Sequence, residues 1–297
     1  MSIFIIQVLN SLFYAAVLFL IASGLSLIYG VMQIVNMAHG VLYALGAYVT
    51  AWMVGGAIGH AVGGSLGLAG LLLLLPVGAL AVAAVGAVLE PTLLRPLYRR
   101  PEEYLLLITF GLLMILEDAI KFLFGGNPLT AGTIMDHMGS IRIAQFIYPA
   151  YNLFVIALGL VASIFLWWFI YRTKFGVMIR ATSQDRRMAG ALGLDVSKVY
   201  IQAFALGCFM AGLGGAIVVP SQAAVLGMGV DALILAFVVV VIGGLGSLEG
   251  ALVGSILVSF VRTAGIQFFP EIELAVLYLI AVVVLMIKPT GLFGKTR

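Results

Sequence analysis

Uninterrupted apolar runs of about twenty residues, repeated along the whole chain, constrain this sequence more than any other feature. A helix needs about 20 mostly apolar residues to cross a bilayer. Stretches near 8–30, 36–56, 66–89, 104–124, 151–171, 200–219 and 272–288 qualify. An eighth, 231–262, is longer than one pass and is broken by Gly243-Gly244-Leu245-Gly246-Ser247-Leu248-Glu249-Gly250. The runs are continuous rather than alternating, which predicts helices and not barrel strands. Only 9% of the 297 residues are charged, against about 25% in a soluble domain, and mean hydropathy is +1.22. The expected fold is therefore all-α. It is one polytopic transmembrane bundle over residues 1–297, with about eight hydrophobic segments, one broken or re-entrant. A lone cysteine, Cys208, excludes a disulfide framework and a Cys-based metal site.

The first segment is expected to be a retained span. No Lys or Arg precedes Arg95, so it lacks the basic n-region of a signal peptide. Twelve of the fifteen basic residues fall in three short segments. The 91–103 loop carries Arg95, Arg99 and Arg100. The 172–199 loop carries Arg172, Lys174, Arg180, Arg186, Arg187 and Lys198. The tail carries Lys288, Lys295 and Arg297. Positive charge marks cytoplasmic loops, so these segments and the C-terminus are expected inside. Residues 57–65, 125–150, 220–230, 262–271 and the N-terminus are then expected outside. Such a topological distribution calls for no nucleic-acid partner. Parity makes 231–242 and 250–262 a pair of half-helices, each about 18–20 Å long, meeting at the glycine-rich turn.

No catalytic constellation stands out. H-E-x-x-H is absent, and His39, His60 and His137 lie far apart. The tail Gly291-Leu292-Phe293-Gly294-Lys295-Thr296 misses the phosphate-loop spacing, because Pro289 stands where the first glycine is required. Gly227-Met228-Gly229-Val230-Asp231-Ala232 follows no strand of a βαβ unit. An enzyme, a bound cofactor and a metal site are not expected.

The 172–199 loop exceeds a minimal connection. Arg180 to Gly193 reads as a short helix, with Thr182 as N-cap, Asp185 as its capping-box partner and Gly193 in the left-handed position past its end. Met188 and Leu192 share one face with Gln184, and Ala189 lies between them. Asp195 starts the next helix. Such an element either lies at the lipid interface or docks a soluble cytoplasmic partner.

Two polar sets lie within apolar sequence. The first is Gln33 with Asn36-Met37-Ala38-His39-Gly40. The second is Gly243, Gly244, Gly246, Ser247 and Glu249. Polar groups at membrane depth must be satisfied or face water, and are candidates for a solute path. The alternatives are helix capping at a turn for Asn36 and His39, and close helix packing through Gly246, Gly250 and Gly254. A short echo between His39-Gly40-Val41-Leu42 and Glu249-Gly250-Ala251-Leu252 matches the paired interruptions of transporters. Glu117 and Lys121, at i and i+4, read as a local ion pair. A stand-alone ion-coupled secondary transporter or channel, the rival class, would instead call for a coupling-ion site.

Ile34 to Gly40, Arg180 to Gly193, Ile242 to Gly254 and Lys288-Pro289-Thr290-Gly291-Leu292-Phe293-Gly294 occur in this order. With them, the chain from Asn10 to Arg297 resembles the permease subunits of branched-chain amino acid ABC transporters, of the shorter H-type. Many members carry Phe where Met37 stands. The resemblance implies a fold similar to ribose-type permeases, with inverted repeats around a central path in the bacterial inner membrane. It implies a second homologous permease, two cytoplasmic ATPase subunits that bind the ATP, and an extracytoplasmic solute-binding protein. The predicted outer loops 125–150 and 220–231 are the expected docking places for that protein, with Asp136, Arg142 and Asp231 as candidate contacts. It also makes the 180–193 helix the coupling element to the ATPase. Related permeases import urea, short amides and aromatic acids.

Overall fold

The computed structural model describes residues 2–98, 100–143, 145–268 and 270–294. Arg99, Lys295 and Arg297, counted above among the basic residues, lie outside them. The helices are α1 (Ser2–Met32), α2 (His39–Gly55), α3 (Ala57–Leu89), α4 (Glu102–Phe124), α5 (Gly132–Met138), α6 (Ala150–Arg172), α7 (Lys174–Gln184), α8 (Arg186–Ala191), α9 (Val196–Val218), α10 (Met228–Gly243), α11 (Leu248–Phe268) and α12 (Glu273–Ile287). One hairpin, β1 (Ser140–Ile143) with β2 (Phe146–Pro149), is antiparallel. By length and composition, α1, α6, α9, α11 and the run through α3 are each able to cross a bilayer.

The all-α bundle expected from the apolar runs is present. The eight stretches become nine apolar helices among the described residues, because the broken one divides into α10 and α11. These are not two matched half-helices. The 21 residues of α11 span about 31 Å, whereas the 16 of α10 span about 24 Å. Residues 57–65, expected as a loop, belong to α3, which bends at Gly67 (φ 58°). Glycine takes that left-handed conformation without the Cβ clash that other residues suffer.

The core repeats one arrangement twice, upside down. Helix α1 packs against α9 and α11, and α9 packs against α1 and α3. Helix α2 rests on α3, α4 and α9, while α10 rests on α11, α12 and α1. Exchanging α1–α4 for α9–α12 reproduces the same neighbours with the chain direction reversed. Close approach is paid for in small residues. A Cβ on Gly207 would strike Ile28, one on Gly212 would strike Val82, and one on Gly215 the Tyr43 backbone. Inside lipid, van der Waals contact of this kind supplies the association that water exclusion supplies elsewhere.

The basic segments converge on one end of the bundle. Arg95 donates to the Ser197 carbonyl at 3.4 Å. Arg100, Arg186 and Arg187 line a common cleft with Gln33. The Gly291–Gly294 segment packs on Gly244. The opposite, far end carries α5, the hairpin and 219–227, tied by Leu129 and Ala224, whose N–H groups each donate to the other's carbonyl. Among the described residues Glu117 forms no ion pair with Lys121, contrary to the i, i+4 expectation. The two ion pairs are Arg95–Glu90 and Lys198–Asp195.

Candidate functional site

Helix α1 closes with Gln33, whose N–H donates to Tyr29 at 2.8 Å and whose φ is +57°. The chain then turns back into the bundle without helical structure until His39. Asn36 Oδ1 accepts from the Ala38 N–H at 3.1 Å, holding the turn. His39 is fully buried, with Nε2 at 2.9 Å from the Ile21 carbonyl. A carbonyl only accepts, so this contact assigns the proton to Nε2 and leaves Nδ1 a bare acceptor. Ile21 lies about 16 Å along α1 from its basic end. Helix α2 therefore begins inside the bundle. His39 Nδ1 and Asn36 Nδ2 are buried without a partner among the described residues. Capping explains Asn36 Oδ1 but not these two atoms.

The counterpart of this break is not the one suggested by the sequence echo. Helix α10 also begins inside the bundle, after the 219–227 segment enters from the far end. Its first turn meets that of α2: a Cβ on Gly40 would collide with the Gly229 carbonyl, and one on Gly229 with the Gly40 carbonyl. Gly227 (φ 85°) turns the chain into α10, and no side chain caps either helix. Two helix N-termini, each with free N–H groups and a partial positive charge, thus face one interior region from opposite sides. Asp231 sits in the first turn of α10, where it offsets that charge. The reading of 220–231 as an outer loop missed this. The signal available was Gly227-Met228-Gly229 opening a helix after a break.

The 243–250 set lies elsewhere. Gly244 (φ 107°) and Gly246 (φ 79°) form a turn at the basic end. The Leu292 and Phe293 N–H groups donate to the Ile242 and Gly243 carbonyls, both at 2.8 Å. Gly246 touches Gly30. Ser26 Oγ donates to the Ser247 carbonyl at 3.1 Å, and Ser247 Oγ accepts from the Gly250 N–H at 3.0 Å. Glu249 faces Tyr171, at the end of α6. The glycine-rich turn is thus a closed joint between α1, α11 and the C-terminal segment, meeting α1 at Ser26 and Gly30, about 8 to 14 Å along it from Ile21.

The long basic loop folds as two helices rather than one. Thr173 caps α7 by accepting from the Gly176 N–H at 3.2 Å. Thr182 caps nothing. It lies inside α7, buried, with its hydroxyl unpartnered. Asp185 itself is the cap of α8, accepting from the Arg187 and Met188 N–H groups at 2.8 and 2.9 Å. Those two donors, Met188 first, hold its carboxyl below the usual carboxylate value. Gly193 takes φ +87°, and the Leu194 N–H reaches back to the Ala189 carbonyl at 3.1 Å, closing α8 with a Schellman-type turn. Asp195 then caps α9. Ala189 is buried, while Met188 and Leu192 are 57% and 77% exposed. Arg180 lies over the Tyr171 ring at 5.2 Å. A cleft of about 450 Å³ runs between α8 and the Gln33 turn, lined by Arg100, Glu102, Asp185 and Tyr200.

Comparison with known proteins places this geometry. Residues 7–285 match the family model described as "Branched-chain amino acid transport system / permease component". The chain is 25% identical to the high-affinity branched-chain amino acid transport system permease protein LivH of Escherichia coli (strain K12), over 98% of this chain and 96% of the relative. It is 25% identical to BraD of Pseudomonas aeruginosa, a permease protein of the same description, over 97% and 95%. A probable branched-chain amino acid transport permease protein LivH of Methanocaldococcus jannaschii is 26% identical over 96% and 91%. On a match that spans nearly its whole length, this chain belongs to the family of branched-chain amino acid transport system permease components.

Proposed function

We propose that this chain is the membrane-spanning subunit of an ABC importer for branched-chain amino acids or related small polar solutes, including short amides, urea and aromatic acids. It works beside a second homologous permease, in the cytoplasmic membrane of a bacterium. Two cytoplasmic ATPase subunits bind and hydrolyse the ATP, and an extracytoplasmic binding protein delivers the solute to the far end. The basic end faces the cytoplasm, which puts the N-terminus outside and the C-terminus inside.

The observation that carries this reading is α8. A helix capped at both ends, presenting two large apolar side chains beside a polar cleft, supports a docking surface. Its backbone continues through Gly193 and Asp195 into α9, which packs on α1, α2 and α3. Displacing α8 therefore moves the helix against which the α2 break is built. ATP-driven motion of that helix shifts the population between two orientations of the interior region.

The ion-coupled alternative calls for a buried acid free to exchange its cation. Among the described residues Glu90 is the one acid without exposure, and Arg95 and Tyr98 occupy it.

The test is reconstitution of the four-subunit complex in vesicles. Ala189→Trp should abolish uptake and solute-stimulated ATP hydrolysis while the permease pair still inserts. Concentrative uptake by this chain alone, without an ATPase, would overturn the proposal.

A further inference from the structure

Helix α11 turns one polar stripe toward α1, made of Ser255, Ser259, Arg262 and Thr263 at helical spacing. Ser255 satisfies itself on the Leu252 carbonyl. The other three do not. Among the described residues, Ser259 Oγ, Thr263 Oγ1 and Arg262 Nε are all buried without a hydrogen-bond partner, and Ser259 and Thr263 are more than nine-tenths buried. Arg262 lies six residues, about 9 Å, inside the far end of α11. Its guanidinium carbon sits 5.2 Å from the centre of the Tyr14 ring. No carboxylate pairs with it among the described residues.

An arginine at such depth is expensive unless it meets a counter-charge or water. The Tyr14 ring offers only part of that compensation. The three orphaned groups lie on one face, and Arg262 is within electrostatic reach of buried Tyr43, one turn beyond His39 on α2. Tyr14 lies about 10 Å along α1 from Ile21, the residue that anchors His39. The stripe therefore stands between the far end and the region where α2 and α10 begin.

We propose that Arg262, Ser259 and Thr263 form a subsite for the carboxylate of the transported solute as it passes from the far end toward the α2–α10 junction. A guanidinium presents paired donors matched to the two oxygens of a carboxylate, and the two hydroxyls add donors beside it. Urea and neutral amides bring no charge to satisfy it. This rests on the importer reading and narrows its substrate class to amino acids and other carboxylic acids. A lipid phosphate, reaching in from the far-end headgroups, is the competing source of anionic oxygen.

The experiment uses the whole reconstituted importer with saturating solute-loaded binding protein. ATP-driven uptake by the wild-type complex checks the importer reading itself. If that uptake is absent, the reading fails whatever Arg262 does. Given wild-type uptake, Arg262→Gln should reduce leucine uptake about tenfold or more while binding-protein-stimulated ATP hydrolysis stays within about twofold of wild type. The ATP spent per solute then rises. Arg262→Lys should recover part of the uptake, because it keeps the charge and loses the fork. Thr263→Val, a nearly isosteric change, should give a smaller loss of the same kind. Leucine uptake unchanged in Arg262→Gln would overturn the subsite. So would a parallel fall of uptake and ATP hydrolysis in all three variants, which marks a structural role. A defect seen in vesicles containing anionic lipid and absent in phosphatidylcholine alone would assign the arginine to the lipid and overturn the proposal as well.

Discussion

Gly40 and Gly229 touch backbone to backbone at the point where two helices, entering from opposite ends of the bundle, begin. Neither position has room for a methyl group, because the opposing atom is a carbonyl held by its own helix. Overpacking a rigid interior costs about 1–3 kcal/mol. Gly229→Ala should lower the thermal stability of the purified permease by that order and depress uptake more than stability alone predicts, since the contact fixes how the two N-termini face each other. Melting in detergent and uptake by the reconstituted complex measure the two effects. Gly64→Ala, where no atom approaches an added Cβ, is the control and should change neither.

Most of the fold was legible because membrane helices announce themselves by length. Every apolar stretch became a helix, and the basic segments did assemble at one end. What failed was local. Thr182 and Asp185 stand three apart, as in a capping box, but the chain breaks at Asp185 and the aspartate caps α8 by itself. The paired interruption was sought at Glu249, where glycines are dense, yet those glycines form a joint closed by Leu292 and Phe293. The counterpart, Gly227–Gly229, carries two glycines but no polar residue until Asp231. Only three-dimensional packing reveals that it meets Gly40. The Arg262 stripe was invisible because serine and threonine at helical spacing satisfy themselves on their own helix as often as not.

Glu90 is fully buried where α3 gives way to the 90–97 turns. It accepts from Arg95 at 2.8 Å and from the Tyr98 hydroxyl at 2.9 Å. Arg95 also reaches Ser197 in the first turn of α9. Removing the cation would leave a buried carboxylate unpaired, which costs about 3–5 kcal/mol in a closed site. Arg95 is itself 36% exposed, so solvent screening brings Arg95→Gln to the low end of that range. Glu90→Gln added to Arg95→Gln should recover much of the loss. Melting temperatures of the single and double variants decide it, and additive losses would contradict the pairing.

Glu249 faces Tyr171, and the Arg180 guanidinium carbon lies 5.2 Å from the centre of the same ring. The cluster joins α7, α6 and the start of α11, so it links the docking loop to the glycine joint. Tyr171→Leu should preserve assembly but raise the ATP hydrolysed per solute transported, as α7 and α11 lose their common partner. Paired ATPase and uptake rates in vesicles give the ratio. An unchanged ratio would confine Tyr171 to packing.

Asp185 ties the pH response of the docking helix to a single cap. Its carboxyl titrates below the ordinary 3.8 because the Met188 and Arg187 N–H groups favour the charged form. A depressed carboxylate stabilises the folded arrangement above the unfolded value and stops doing so as pH falls through the folded one. Between about pH 5 and 8 the cap is therefore constant, and it weakens only below about pH 4. A nitroxide placed at exposed Leu192 should be immobile across the higher range and gain mobility below it, because the first turn of α8 loses both side-chain acceptor bonds. Asp185→Asn keeps an acceptor that does not titrate. Its spectrum should stay the same across the whole range, whereas Asp185→Ala should be mobile throughout. A wild-type spectrum that changes near neutral pH would show that another group governs the helix.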